Sequence, residues 1–216
     1  MLGLLKKDFL LMKTQKNYLV LIIFIAVFLS YSSSDDFALS YLTLLSCFLV
    51  ISSISYDDNG GCAAFLLTLP VSRGVYVREK YLFAALITGL GWLIGELSVV
   101  GVALTRGRMP EAQFFALAPT WYFGSILFVS ILMPVMLKYG VERGRIVLFG
   151  IVMVALVVGY LSGMVFERIG VDPEAFTARL IDGRTLPLLL LCGAATIAAA
   201  LLSYGLSMRI MKRKEF

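Results

Sequence analysis

Six long, uninterrupted apolar stretches constrain this 216-residue chain more than anything else in it, and they fall near 17–34, 37–56, 81–105, 112–137, 146–166 and 186–208. Each approaches or exceeds the roughly 20 residues an α-helix needs to cross a hydrocarbon core about 30 Å thick. A membrane β-strand would be about 10 residues of alternating polarity, which these continuous runs do not contain. The chain is 60 % hydrophobic and 15 % charged, with a mean hydropathy of +0.91. No water-soluble core of this size hides that much apolar surface. The sequence predicts an all-α polytopic membrane protein, a single domain over residues 1–216 with six transmembrane helices.

The basic residues sort by side. Of the 19 Lys and Arg, fourteen lie before the first stretch, in 57–80, between the fourth and fifth stretches or in the tail, and five lie in the alternate connections. The positive-inside rule then places both termini and the 57–80 segment in the cytoplasm. The net charge of +5 belongs to this topology and to anionic headgroups, so nucleic acid is not expected as a partner.

Catalysis is poorly supplied. The chain has no histidine, which removes the commonest general base and the usual zinc ligand. Cys47 and Cys192 fall within apolar stretches and Cys62 in the 57–80 segment, and no pair has a metal-binding spacing. A membrane-embedded protease or transferase needs several polar groups at one depth, and none cluster in sequence. No catalytic residue and no metal site are expected. A GxxxxGK[ST] phosphate loop is also missing, so the chain does not hydrolyse ATP by that device.

Residues 1–16 mix leucine with lysine, as an interfacial helix does when it lies along the headgroups. At 100° per residue Leu2, Leu5, Phe9 and Met12 form an apolar stripe from which Leu4 and Leu10 fall away. In the third stretch Gly91 and Gly95, four apart, offer a bare backbone face for close helix packing. Glu96 follows directly. A carboxylate at that depth is costly and should face a partner or water. It either lines a substrate path or a dimer seam together with Gly91 and Gly95, or bonds to a serine or backbone group of its own bundle.

Pro119 and Pro134 in the fourth stretch can each kink a helix. Tyr139 to Arg145 reads as a short cytoplasmic connection. In Val171 to Gly183, Asp172 can cap a short external helix with Pro173 at its first position and Gly183 at its end.

The longest connection on the basic side is YDDNGGCAAFLLTLPVSRGVYVREKY, Tyr56 to Tyr81. Asn59 to Thr68 can form a short helix after Asp57 and Asp58, with Phe65, Leu66 and Leu69 apolar. Pro70 stops it, because proline disfavours α geometry in the residue before it, and Ser72 can cap a new helix that begins with Arg73. The string FLLTLPVSRGVYVREKYL resembles the cytoplasmic loop of small bacterial type-2 ABC-exporter permeases, and the six-span layout matches over the whole chain. The resemblance includes peptide and toxin exporters such as those for phenol-soluble modulins.

That resemblance implies a coupling helix in the 57–80 loop that docks on a separate ABC ATPase, with Asp58, Phe65, Leu66, Leu69, Pro70, Ser72 and Arg73 as the coupling residues. It further implies an elbow helix at the N-terminus, an external lid-like element after the fifth span, and a bacterial plasma-membrane location. ATP and Mg would be bound by two copies of the partner ATPase, with no cofactor in this chain. Six spans make half a transporter, so a second permease copy, identical or a sister chain, is implied. The expected function is export of an amphipathic substrate, peptide or toxin. The alternative is a membrane immunity or scaffolding protein without transport activity.

Overall fold

The computed structural model describes residues 2–14, 16–32, 35–58, 72–107, 112–169 and 185–213, and among these every ordered element is helical. The helices are α1 (Leu2–Thr14), α2 (Lys16–Ser32), α3 (Asp35–Asp58), α4 (Arg73–Thr105), α5 (Ala112–Ile169) and α6 (Thr185–Arg213). Five segments are long and apolar enough to cross a membrane: Phe37–Asp58, Arg73–Thr105, the two limbs Phe114–Gly140 and Glu142–Phe166 of α5, and Leu186–Arg213. A sixth span arises if Gly3–Thr14 and Leu19–Tyr31, which meet at 69°, are taken together. Alone, the 13 residues of α1 extend about 20 Å, too short to cross.

α4 contacts every other described helix. It begins where the sequence signals it should. Ser72 stands in extended geometry as N-cap, and its hydroxyl accepts from the Val75 amide at 3.3 Å. From there 33 residues run without a break, about 50 Å. The two turns before the 81–105 stretch therefore project past the apolar layer.

The main core lies between α3, α4 and the first limb of α5: Val50, Ile54, Phe83, Ile87, Leu132 and Met133 are all buried there. Lipid tails are as apolar as leucine, so helix association in a membrane draws on close packing and interhelical hydrogen bonds, not on water exclusion. Both are present. Trp92 donates its indole N–H to the Ala118 carbonyl at 2.9 Å, joining α4 to α5. Tyr81 shares its hydroxyl with Ser203 at 2.5 Å and Ser207 at 2.9 Å, joining α4 to α6. At the end away from the basic residues, Tyr31 meets Thr105 at 2.8 Å and Arg106 stacks 4.9 Å from the Tyr31 ring, tying α2 to α4.

The connection expected over Tyr139 to Arg145 contracts to a single residue. Helical geometry fails only at Gly140, with φ 77° and ψ 171°, and resumes at once. Met136 and Leu148, on opposite sides of that break, pack in the same core cluster, so the chain turns there and the first turns of the second limb meet the core. Pro119 and Pro134 lie inside continuous helix. The turn is made by the glycine, whose missing Cβ permits a left-handed φ, and neither proline breaks the chain. The second limb is exposed along almost its whole length, from Ile146 and Phe149 to Val158 and Tyr160.

Candidate functional site: a buried charge cluster at the basic end

Where α1, the end of α3 and the start of α4 meet, four charged side chains close on one another. Lys80 of α4 is completely buried. Its ammonium lies 2.5 Å from Asp8 Oδ2, 2.7 Å from Asp57 Oδ2 and 2.8 Å from Ser53 Oγ. An ammonium has three donors, and three acceptors surround this one. Lys7 reaches Asp57 Oδ1 and comes within 3.2 Å of Asp8 Oδ1. Tyr76 donates to Asp57 Oδ2 at 3.2 Å and places its ring 5.6 Å from the Lys80 nitrogen.

Burial alone would push the Asp8 carboxyl up. The Lys80 ammonium, by charge and hydrogen bond, outweighs it with help from Lys7 and Ser53, and holds Asp8 below the ordinary carboxylate value. Burial would likewise lower the Lys7 ammonium, but Asp57 first and Asp8 second raise it above the ordinary lysine value.

Local sequence explains how these groups reach the interior. In α1 the inward face runs through Leu4 and Asp8, both buried, with Met12 packed against the core, while Phe9 and Leu10 are exposed. Of the stripe expected through Leu2, Leu5, Phe9 and Met12, Leu5 and Met12 pack against the core, Phe9 is exposed and the side chain of Leu2 lies outside the described residues, while the buried Asp8 between them pairs with Lys80. Phe9 still touches Phe83 edge-on at 5.7 Å. In α4, Tyr76, Lys80, Phe83, Ala84 and Ile87 share one buried face. Lys80 reads in sequence as one more solvated cation. It is the opposite, a buried counter-ion for two carboxylates far away in the chain.

The cluster grips both roots of the 59–71 segment, through Asp57 on α3 and through Tyr76 and Lys80 on α4. Phe65, Leu66, Leu69 and Pro70, with the coupling helix expected over Asn59 to Thr68, lie outside the described residues, as does the external helix expected over Val171 to Gly183. Asp58 ends α3 and is exposed. Arg73 turns toward the other end of the chain, donating to the carbonyls of Met211 at 3.1 Å and Lys212 at 2.8 Å. These are last-turn carbonyls of α6 that the helix itself leaves unpaired.

Gly91 and Gly95 face α3 of the same chain. A Cβ on Gly91 would stand 1.7 Å from Ser46 Oγ, and one on Gly95 2.9 Å from Leu39 Cδ1. The close packing of this pair is made with α3 of the same chain. Glu96 is half-buried and makes no hydrogen bond among the described residues. Among the described residues no group of three or more His, Cys, Asp or Glu could hold a metal ion.

A groove of about 540 Å³ runs between α3 and the first limb of α5, lined by Phe37, Tyr41, Leu44, Trp121 and Phe128 among others. Its hydroxyls are turned away: Ser40, Thr43 and Ser125 each donate to a carbonyl of their own helix. What the groove presents is almost wholly apolar.

A bundle of long apolar helices with five segments of membrane-crossing length is a multi-pass membrane protein. The chain belongs to the ABC-2 transporter family: the family model described as ABC-2 family transporter protein matches residues 3–212, nearly the whole length. It is a type-2 ABC permease. No curated protein matches the chain.

Proposed function

We propose that the chain is the membrane subunit of an ATP-driven exporter that moves an amphipathic substrate, peptide or toxin, out of the cell. The observation that carries the reading is the family match over 3–212, together with the absence of a phosphate loop in the sequence, which leaves hydrolysis to a separate ABC ATPase. The 57–80 loop is the docking element, with Phe65, Leu66 and Leu69 as its apolar contacts. Its two roots are fixed to α1 and to each other by the Asp8, Asp57 and Lys80 cluster. A push on the loop would therefore reach α4, and through α4 every other described helix. ATP drives export only if it favours one permease state over the other.

The working unit is two permease chains with two ATPases, in the plasma membrane of a bacterium, with both termini on the cytoplasmic side where the basic residues collect. The apolar groove between α3 and α5 suits cargo that arrives sideways from the bilayer. Glu96 of α4, outside that groove, is a second candidate path residue and would face a cationic group of such a substrate.

Co-purification with the ATPase encoded beside this chain tests the reading. The wild type should retain the ATPase, and a Phe65→Asp, Leu66→Asp variant that still folds should lose it. If the wild type retains no ATPase, the exporter reading fails and a membrane immunity or scaffolding role replaces it.

A further inference from the structure

The charge cluster does not balance. Three carboxyl groups (Asp8, Asp57 and Glu79) share the site with two ammonium groups (Lys7 and Lys80). Glu79 precedes Lys80 on α4, just before the apolar stretch 81–105 begins, and it is completely buried. Among the described residues both its oxygens lack a hydrogen-bond partner, and so does Asp8 Oδ1, which has ion-pair distance to Lys7 without hydrogen-bond geometry. No ion pair joins Lys80 to Glu79 among the described residues: the ammonium donates to Asp8 and Ser53 and lies 2.7 Å from Asp57 Oδ2. The charged groups acting on Glu79 are Lys80 from its own helix and Asp8 and Lys7 from α1. Asp57 and Ser53 from α3 and Tyr76 from α4 complete the surroundings.

A buried carboxylate with no donor is among the most expensive arrangements a protein can hold. One proton removes the cost. It makes Glu79 a donor, gives Asp8 Oδ1 the hydrogen bond it lacks, and brings the cluster to two negative and two positive charges. We propose that Glu79 and Asp8 form a binding site for a single proton, carried on Glu79 and donated to Asp8 Oδ1, and that this proton latches α1 to the start of α4. Its loss to bulk water leaves two carboxylates facing each other across the α1–α4 contact. Their repulsion weakens the α1–α4 contact, which then rests on the Asp8–Lys80 pair, while Lys80 and Asp57 still join α3 to α4. Rising pH on the basic side thus loosens α1 and leaves the two roots of the 59–71 segment joined. The inference concerns the chain's own packing and stands whether or not an ATPase binds.

Infrared spectroscopy of the purified full chain, in a Glu96→Gln background, tests the proton directly. Near neutral pH the wild type should show the carbonyl band of a protonated carboxylic acid, and the band should disappear on alkaline titration. Glu79→Gln should lack the band. Spin labels placed at the exposed Leu10 and Leu82 in a cysteine-free background should separate over the same pH interval, and in Glu79→Gln their distance should stay at the neutral wild-type value. If Glu79→Gln does not fold, wild-type protein carrying isotope-labelled glutamate must show the band shifted, since aspartate bands do not move. An unshifted or missing band overturns the proposal. So does a label distance that titrates equally in Glu79→Gln, or one that follows sodium or potassium at constant pH, which would make the occupant a metal cation.

Discussion

Lys80 and Asp8 stand 72 positions apart in the sequence and 2.5 Å apart in space, both sealed from solvent. That contact joins an N-terminal helix too short to cross a membrane to the helix every other described element touches. It is the costliest single contact to break. A neutral interhelical hydrogen bond in a membrane averages about 0.6 kcal/mol, whereas removing one member of a buried pair strands a charge at about 3–5 kcal/mol.

Lys80→Met should therefore lower the stability of the solubilised protein by about 3–5 kcal/mol, seen as a fall in its thermal unfolding midpoint in detergent. Adding Asp8→Asn should recover part of that loss, because one stranded carboxylate disappears. Tyr81→Phe, which removes only hydroxyl bonds to Ser203 and Ser207, is the comparison and should cost far less. Equal losses for the two would mean that Lys80 is not a buried counter-ion.

Acid should detach α1. The Asp8 carboxyl is held below its ordinary value in the folded chain. Its contribution is complete above the unfolded carboxylate value and disappears as pH falls through the lower folded one. The Leu10 to Leu82 label distance should lengthen across that acid interval, and Asp8→Asn should abolish the dependence. A wild-type distance unchanged by acid contradicts the ion pairing described here.

Three glycines give a graded series. Gly91→Ala drives a Cβ into Ser46 Oγ, with the Leu42 carbonyl 3.2 Å away, and should cost about 1–3 kcal/mol by overpacking. Gly95→Ala meets the movable end of Leu39 and should cost less. Gly101 has nothing within 4 Å, so Gly101→Ala should be neutral or slightly stabilising through helix propensity. Thermal unfolding of the three variants checks the order, and a Gly91 variant as stable as the Gly101 one would show that α3 does not pack there.

Gly140→Ala forces an alanine into a backbone region that only glycine occupies easily and sets its Cβ 3.0 Å from Asp58 Oδ2. The expected loss is about 1–3 kcal/mol. Pro134→Ala should leave the hairpin in place. Cross-linking between cysteines introduced at Met136 and Gly144 reads the fold-back: it should weaken in Gly140→Ala and persist in Pro134→Ala.

Much of the bundle is legible from hydropathy alone because a span is a local property. The stretch expected at 37–56 is the segment Phe37–Asp58, and the one at 112–137 is Phe114–Gly140. Ser72 is legible as a cap for the same reason, since the bond it makes is three residues away. The spacing of Gly91 and Gly95 announces close packing but not the partner. Asp8 and Lys80 are illegible as a pair, because the rule that makes lysines cytoplasmic says nothing about whether they stay wet. One local signal was available: Asp8 lies four residues from both Leu4 and Met12 on the inward face of α1, a charged group where an apolar one would normally stand. The turn at Gly140 falls inside the connection expected over Tyr139 to Arg145, and what stays illegible is that one glycine suffices to make it.

Arg73 has a partner that does not yet exist when α4 is made. The carbonyls it holds belong to Met211 and Lys212, 138 and 139 residues further along the chain. During synthesis the root of the 59–71 segment on α4 must wait for almost the whole remaining polypeptide. A product stalled before α6 is inserted would leave Arg73 without those two carbonyls. The last turn of α6 thus reports to the start of α4 that the helices between them have been made.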